Sequence, residues 1–162
     1  MSRRDDPFSE SSGLTPAYVR VTYKLMFGQH WLNVDLKGVD TGSAPYYGLK
    51  ALDHNNGVIF VAPDGLNKGR GNQGGEDIAF NDKNIEDLQA DLCINEKLIS
   101  SMGFSYGAAM SYSLACSRPK VFRAVALMSG RLHRRHRSCG VLCPARCTRF
   151  SIKYQRRPSA AR

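Results

Sequence analysis

Along the chain, apolar and polar positions change their period several times, and each change predicts an element. Tyr18 to Phe27 alternates before turning apolar, which predicts a strand entering a core within Ala17–Trp31. Residues 32–45, with two glycines, Asn33, Asp35, Asp40 and Pro45, predict a loop, and Tyr46–Asn55 a short helix stopped by Asn55-Asn56-Gly57. Val58-Ile59-Phe60-Val61-Ala62-Pro63 is continuously apolar, the pattern of a central strand covered on both faces. Residues 63–76, rich in glycine, predict a long loop at that strand's carboxyl end, where ligand sites of open α/β sheets lie. Helix over Asp82–Asp91, strand over Leu98–Gly103, helix over Gly107–Ser117 and strand over Val121–Met128 complete the pattern. Strands alternating with helices predict a parallel sheet of the α/β class.

Composition changes the picture at one place. The 162 residues are 42% hydrophobic and 23% charged, as in a folded domain, and no apolar run is long enough for a membrane span. The net charge of +9 is uneven: residues 1–130 are nearly balanced, whereas 131–162 hold ten Lys or Arg and no acid. We therefore divide the chain into a polar lead-in (1–16), expected to be disordered and without the apolar core of a secretory signal, a folded part (17–130) and a basic tail rich in Cys and Arg (131–162), also expected to be disordered. His133, His136, Cys139, Cys143 and Cys147 crowd into that tail. Zinc modules place ligand pairs across an intervening fold, so neither a metal nor any other cofactor is expected. The tail would hold an anion or a nucleic acid through charge alone, and with few aromatics to stack on bases no specific nucleic-acid partner is expected.

The chemistry concentrates at Gly103-Phe104-Ser105-Tyr106-Gly107, between a predicted strand and a predicted helix, which is the G-x-S-x-G nucleophile elbow in the context it requires. A serine on so sharp a turn is held in a strained conformation, and Gly103 and Gly107 spare the turn two side chains that would clash. The turn lifts the hydroxyl clear of the sheet at a helix N-terminus, where the Tyr106 N–H can meet a developing oxyanion.

The segment Gly103–Pro119 closely resembles the elbow of secreted fungal feruloyl esterases, which are grouped with acetylxylan esterases and related to polyhydroxybutyrate depolymerases. Ile59–Asn67, Asn72–Ile78, Phe122–Ala126 and Met128–Gly130 resemble the same family in the same order, and Gln29-His30-Trp31 resembles its oxyanion-side turn. The resemblance implies an α/β-hydrolase with a Ser-His-Asp triad that cleaves feruloyl esters of cell-wall arabinoxylan outside the cell through an acyl-enzyme. Acetylxylan or a polyester is the alternative substrate. It assigns Ser105 as nucleophile, the backbone N–H groups of Tyr106 and Trp31 as oxyanion donors, and a disulfide to Cys93 and Cys116. His30 has two readings of equal weight, a structural hydrogen-bonder or a member of the catalytic site. Gly69-Arg70-Gly71 departs from the family, which has Gly-Trp there.

A larger departure follows the serine. In this fold the acid and the histidine come after the nucleophile, yet no Asp or Glu follows Glu96, and the only later histidines are His133 and His136. The expectation is a partial α/β-hydrolase lacking its last strands, truncated or misread beyond Gly130, with weak or no activity. The rival readings are a non-catalytic fragment and a basic nucleic-acid- or anion-binding protein.

Overall fold

Among the described residues, four strands, all parallel, form one sheet in the order β2-β1-β3-β4, where β1 is Tyr23–Gln29, β2 Val58–Val61, β3 Ile94–Phe104 and β4 Phe122–Met128. The computed structural model describes residues 22–69 and 71–130; the lead-in, residues 17–21 at the start of the first predicted strand, Arg70 and the basic tail lie outside the described residues. The described helices α1 (Leu36–Asp40), α2 (Glu76–Asp91) and α3 (Tyr106–Ser117) join these strands together with short 3-10 turns. None of the described helices is long and apolar enough to cross a membrane.

The period of two along β1 sorts its side chains between two cores. Leu25 and Phe27 enter a cluster with Ile99, Phe122, Ile78 and Ile85 of α2, and Met110 and Leu114 of α3. Phe27 and Phe122 meet edge to face, with ring centroids 6.0 Å apart. Met26 points the other way, to a cluster of Val39, Tyr46 and Met102 with Phe60 beside it. Helices α2 and α3 thus cover one face, while α1 and the 3-10 turns cover the other.

The pattern of β2 suggested a central strand. Among the described residues it is an edge strand, paired only to β1. A continuous apolar run reports burial of both faces, and those are covered: Ile59 and Val61 pack on one core, Phe60 and Ala62 on the other. It carries no information on lateral neighbours.

The predicted helix over Tyr46–Asn55 is instead two 3-10 turns, Pro45–Gly48 and Lys50–Leu52. Tyr46 and Tyr47 adopt left-handed backbone (φ 47 and 56), which no α-helix accommodates, because this places Tyr46 in the core. Burial and the neighbouring Asp40 raise the Tyr46 phenol above its ordinary pKa, so its hydroxyl stays protonated. The predicted loop 32–45 contains α1, capped by Asp35, whose carboxylate accepts from the Lys37 N–H at 3.0 Å.

Helix α2 begins six residues before its predicted start. Its acidic first turn suits a helix N-terminus, and a side-chain exchange closes it: Asp77 accepts from the Asn72 N–H (2.8 Å), and Asn72 accepts from the Ile78 N–H (3.2 Å). At the far end of α3, the Arg118 guanidinium grips Asp82 of α2 through Nε and Nη2 (2.9 and 2.6 Å). Both side chains are partly exposed, so Asp82→Asn is expected to lower stability by only about 1 kcal/mol, less at high salt, as a urea titration would read.

Candidate active site

The carboxyl ends of β1, β2 and β3 meet at one rim of the sheet, and Ser105 stands on it. At φ 52 and ψ −110 it lies outside the regions a residue with a side chain ordinarily occupies. Its N–H donates to the Met128 carbonyl of β4 (2.8 Å), and its own carbonyl accepts from Ala109 in the first turn of α3 (3.3 Å). These two bonds hold the kink between strand and helix.

The flanking glycines are dictated by contact. A Cβ on Gly103 would run into the Gly107 carbonyl, and one on Gly107 into the Gln29 carbonyl. Residue 107 therefore lies on the backbone that leads into His30 and Trp31, and the absence of side chains brings elbow and turn together. The Trp31 N–H and the Tyr106 N–H, at the first residue of α3, have no hydrogen-bond partner among the described residues. Ser105 itself is exposed, and among the described residues no histidine or carboxylate bonds to its hydroxyl.

His30 makes the contacts of a structural hydrogen-bonder. It is fully buried, and its Nε2 accepts the Gly65 N–H at 3.0 Å. Nδ1 is then the protonated nitrogen and donates to the Trp31 carbonyl at 3.0 Å. The imidazole joins the turn after β1 to the loop after β2, with the Asp64 carboxylate 3.5 Å from Nε2. Trp31 is half-buried and meets Phe104 edge to face, with centroids 6.0 Å apart. Phe104 is 40% exposed although it ends an interior strand, so an aromatic surface borders the serine. A cavity of about 350 Å³, lined by Asp64, Gly65, Leu66, Glu76, Asp77 and Phe80, lies between the loop that His30 ties down and the first turns of α2.

Two features at this rim escaped the sequence. Gln29 and Asn81 of α2 are fully buried partners, Gln29 Nε2 donating to Asn81 Oδ1 at 3.0 Å. The Tyr47 hydroxyl donates to the Gln29 carbonyl (2.6 Å) and accepts from the Phe104 N–H (3.3 Å). Only the pairing of two tyrosines before Gly48 hinted at a special turn there.

The proposed pairing of Cys93 with Cys116 does not hold. The Cys93 thiol is free and exposed on the connection between α2 and β3, whereas Cys116, on the last turn of α3, is disulfide-bonded, so its one valence is already used. Among the described residues no group of three or more His, Cys, Asp or Glu is arranged to hold a metal ion. The tail residues His133, His136, Cys139, Cys143 and Cys147 lie outside the described residues.

A parallel sheet flanked by helices, with a serine kink at its carboxyl rim, makes this chain part of an α/β-hydrolase fold. Structural comparison agrees: a ferulic acid esterase superposes with a TM-score of 0.54 at 15% identity, covering 70% of this chain and 48% of that one. The acetyl xylan esterase from Aspergillus awamori superposes at 0.55 and 19% identity, covering 71% and 44%. No family model matches the chain. By sequence it is homologous to fungal feruloyl esterases. It is 45% identical over 112 residues to feruloyl esterase C of Emericella nidulans, covering 68% of this chain and 41% of that protein. Identity is likewise 45% over 115 residues to feruloyl esterase D of Neurospora crassa, covering 67% and 40%. The Aspergillus terreus protein named "Probable feruloyl esterase C" is 49% identical over 110 residues, again 67% and 40%. The chain thus spans about 40% of the length of the curated relatives it matches.

Proposed function

We propose that this chain is the nucleophile-bearing part of a serine esterase that hydrolyses feruloyl esters of plant cell-wall arabinoxylan. Ser105 attacks the ester carbonyl and forms an acyl-enzyme. The N–H groups of Tyr106 and Trp31 stabilise the tetrahedral oxyanion, and Gly103 and Gly107 let the two donors approach. The observation that carries this reading is the strained, exposed Ser105 beside two backbone donors without a partner among the described residues. The homology to feruloyl esterases supports the substrate class, and the aromatic border made by Phe104 and Trp31 suits a phenolic acyl group. A polymeric substrate is met outside the cell, and a disulfide at Cys116 suits an oxidising compartment.

With no base bonded to Ser105 among the described residues, attack relies on the oxyanion donors and on bound water to take the proton. Turnover is then expected about 10⁶-fold below that of a complete triad. Release of ferulic acid from methyl ferulate, followed by chromatography, should be slow for this chain and absent for Ser105→Ala. Equal release by both proteins would overturn the reading. Faster cleavage of acetylated xylan than of methyl ferulate would transfer it to an acetyl ester.

A further inference from the structure

The oxyanion donors and the nucleophile sit on different strands, so their separation must be set by something that joins the two. The last paired rung between β1 and β3 is Gln29 with Gly103. One residue beyond it on β3 is Phe104, which precedes the serine; two beyond it on β1 is Trp31. At this point the Tyr47 hydroxyl enters between the strands, donating to the Gln29 carbonyl at 2.6 Å and accepting from the Phe104 N–H at 3.3 Å. Its ring also packs against Trp31, with centroids 6.5 Å apart and planes tilted by 51°.

The backbone is distorted to deliver that hydroxyl. Tyr47 and its neighbour Tyr46 both have left-handed φ, a conformation aromatic residues adopt only when surrounding contacts hold them there. Tyr46 enters the core below, and Tyr47 is left at the rim, half-buried, with its hydroxyl on two backbone groups of the site. Transition-state donors act only at hydrogen-bond distance from the developing oxyanion, and small displacements of positioned groups cost large factors in rate.

From this geometry we infer that Tyr47 is a positioning residue, whose hydroxyl ties the backbone before the nucleophile to the backbone before the oxyanion turn and so sets the spacing between Ser105 and the Trp31 N–H. The inference rests on the serine-esterase reading. It assigns Tyr47 no contact with substrate, so its removal acts on the chemical step and not on binding.

The test is two-step inactivation of the full chain by an alkyl fluorophosphonate, followed by intact mass, with Ser105→Ala as the unlabelled reference. Tyr47→Phe is expected to lower the limiting rate of labelling about 10-fold while the half-saturating probe concentration stays within about twofold. Tyr46→Phe, which removes the adjacent phenol hydroxyl on the core side, should label at the wild-type rate. A full limiting rate in Tyr47→Phe, or an equal loss in Tyr46→Phe, overturns the inference. So does loss of the melting transition in Tyr47→Phe, which would mark a contact that holds the fold. A wild type that takes up no label at Ser105 overturns the esterase reading and this inference with it; a labelled wild type with an unaffected Tyr47→Phe overturns the inference alone.

Discussion

Gly107→Ala is expected to destabilise the chain by about 3 kcal/mol, because the new methyl group is aimed at backbone and not at a side chain that could swing aside. Its Cβ would overlap the Gln29 carbonyl and lie 2.7 Å from the His30 carbonyl oxygen. Relief requires α3 to move away from β1, which would open the core formed by Leu25, Phe27, Met110 and Leu114. In urea the midpoint should fall by about 2 M with little change in slope. Gly57→Ala provides the contrast: the nearest atom to its Cβ is Asp53 Oδ1 at 3.8 Å, ordinary contact distance, and the midpoint should barely move. Equal, small shifts in both variants would show that helix and strand are not in the close contact described.

The second large effect is a trade of activity for stability at Ser105. A serine at φ 52 and ψ −110 pays a conformational cost that glycine does not. Ser105→Gly should be about 1 kcal/mol more stable than Ser105→Ala after glycine's greater freedom in the unfolded chain is subtracted. Both variants should lose all Ser105-dependent ester hydrolysis and probe labelling. The comparison of the two variants isolates backbone strain, since neither carries the hydroxyl. Urea midpoints that place Ser105→Gly below Ser105→Ala would show that the kink stores no strain.

Local signals sufficed wherever one segment's own pattern decided its state. The strand ending at Phe104, the helix from Tyr106 to Ser117 and the strand ending at Met128 all appear within a few residues of their predicted bounds. Alternation, a G-x-S-x-G turn and a closing proline are properties of neighbours in sequence. The reading erred where distant contacts outweighed local preference. Tyr46 could have continued a helix, but Val39 and Met102 offered its ring a core site, and the backbone turned left-handed to reach it. Asn72 and Asp77 extended α2 toward its N-terminus through bonds that helical periodicity does not register. The cysteine pairing failed similarly: positions shared with a family do not reveal which thiol is already bonded.

By itself, the amino-acid sequence determined the fold class, the serine at the kink and the two glycines around it, because sharp turns and apolar periods are short-range demands that few residue types meet. Tertiary structure alone decided that β2 lies at the edge of the described sheet, that His30 is a buried tie between two loops, and that Tyr47 bridges the ends of β1 and β3. Each of these depends on groups up to 57 residues apart being brought within hydrogen-bond or pairing distance, and that proximity is created only when the sheet assembles and its two faces are packed.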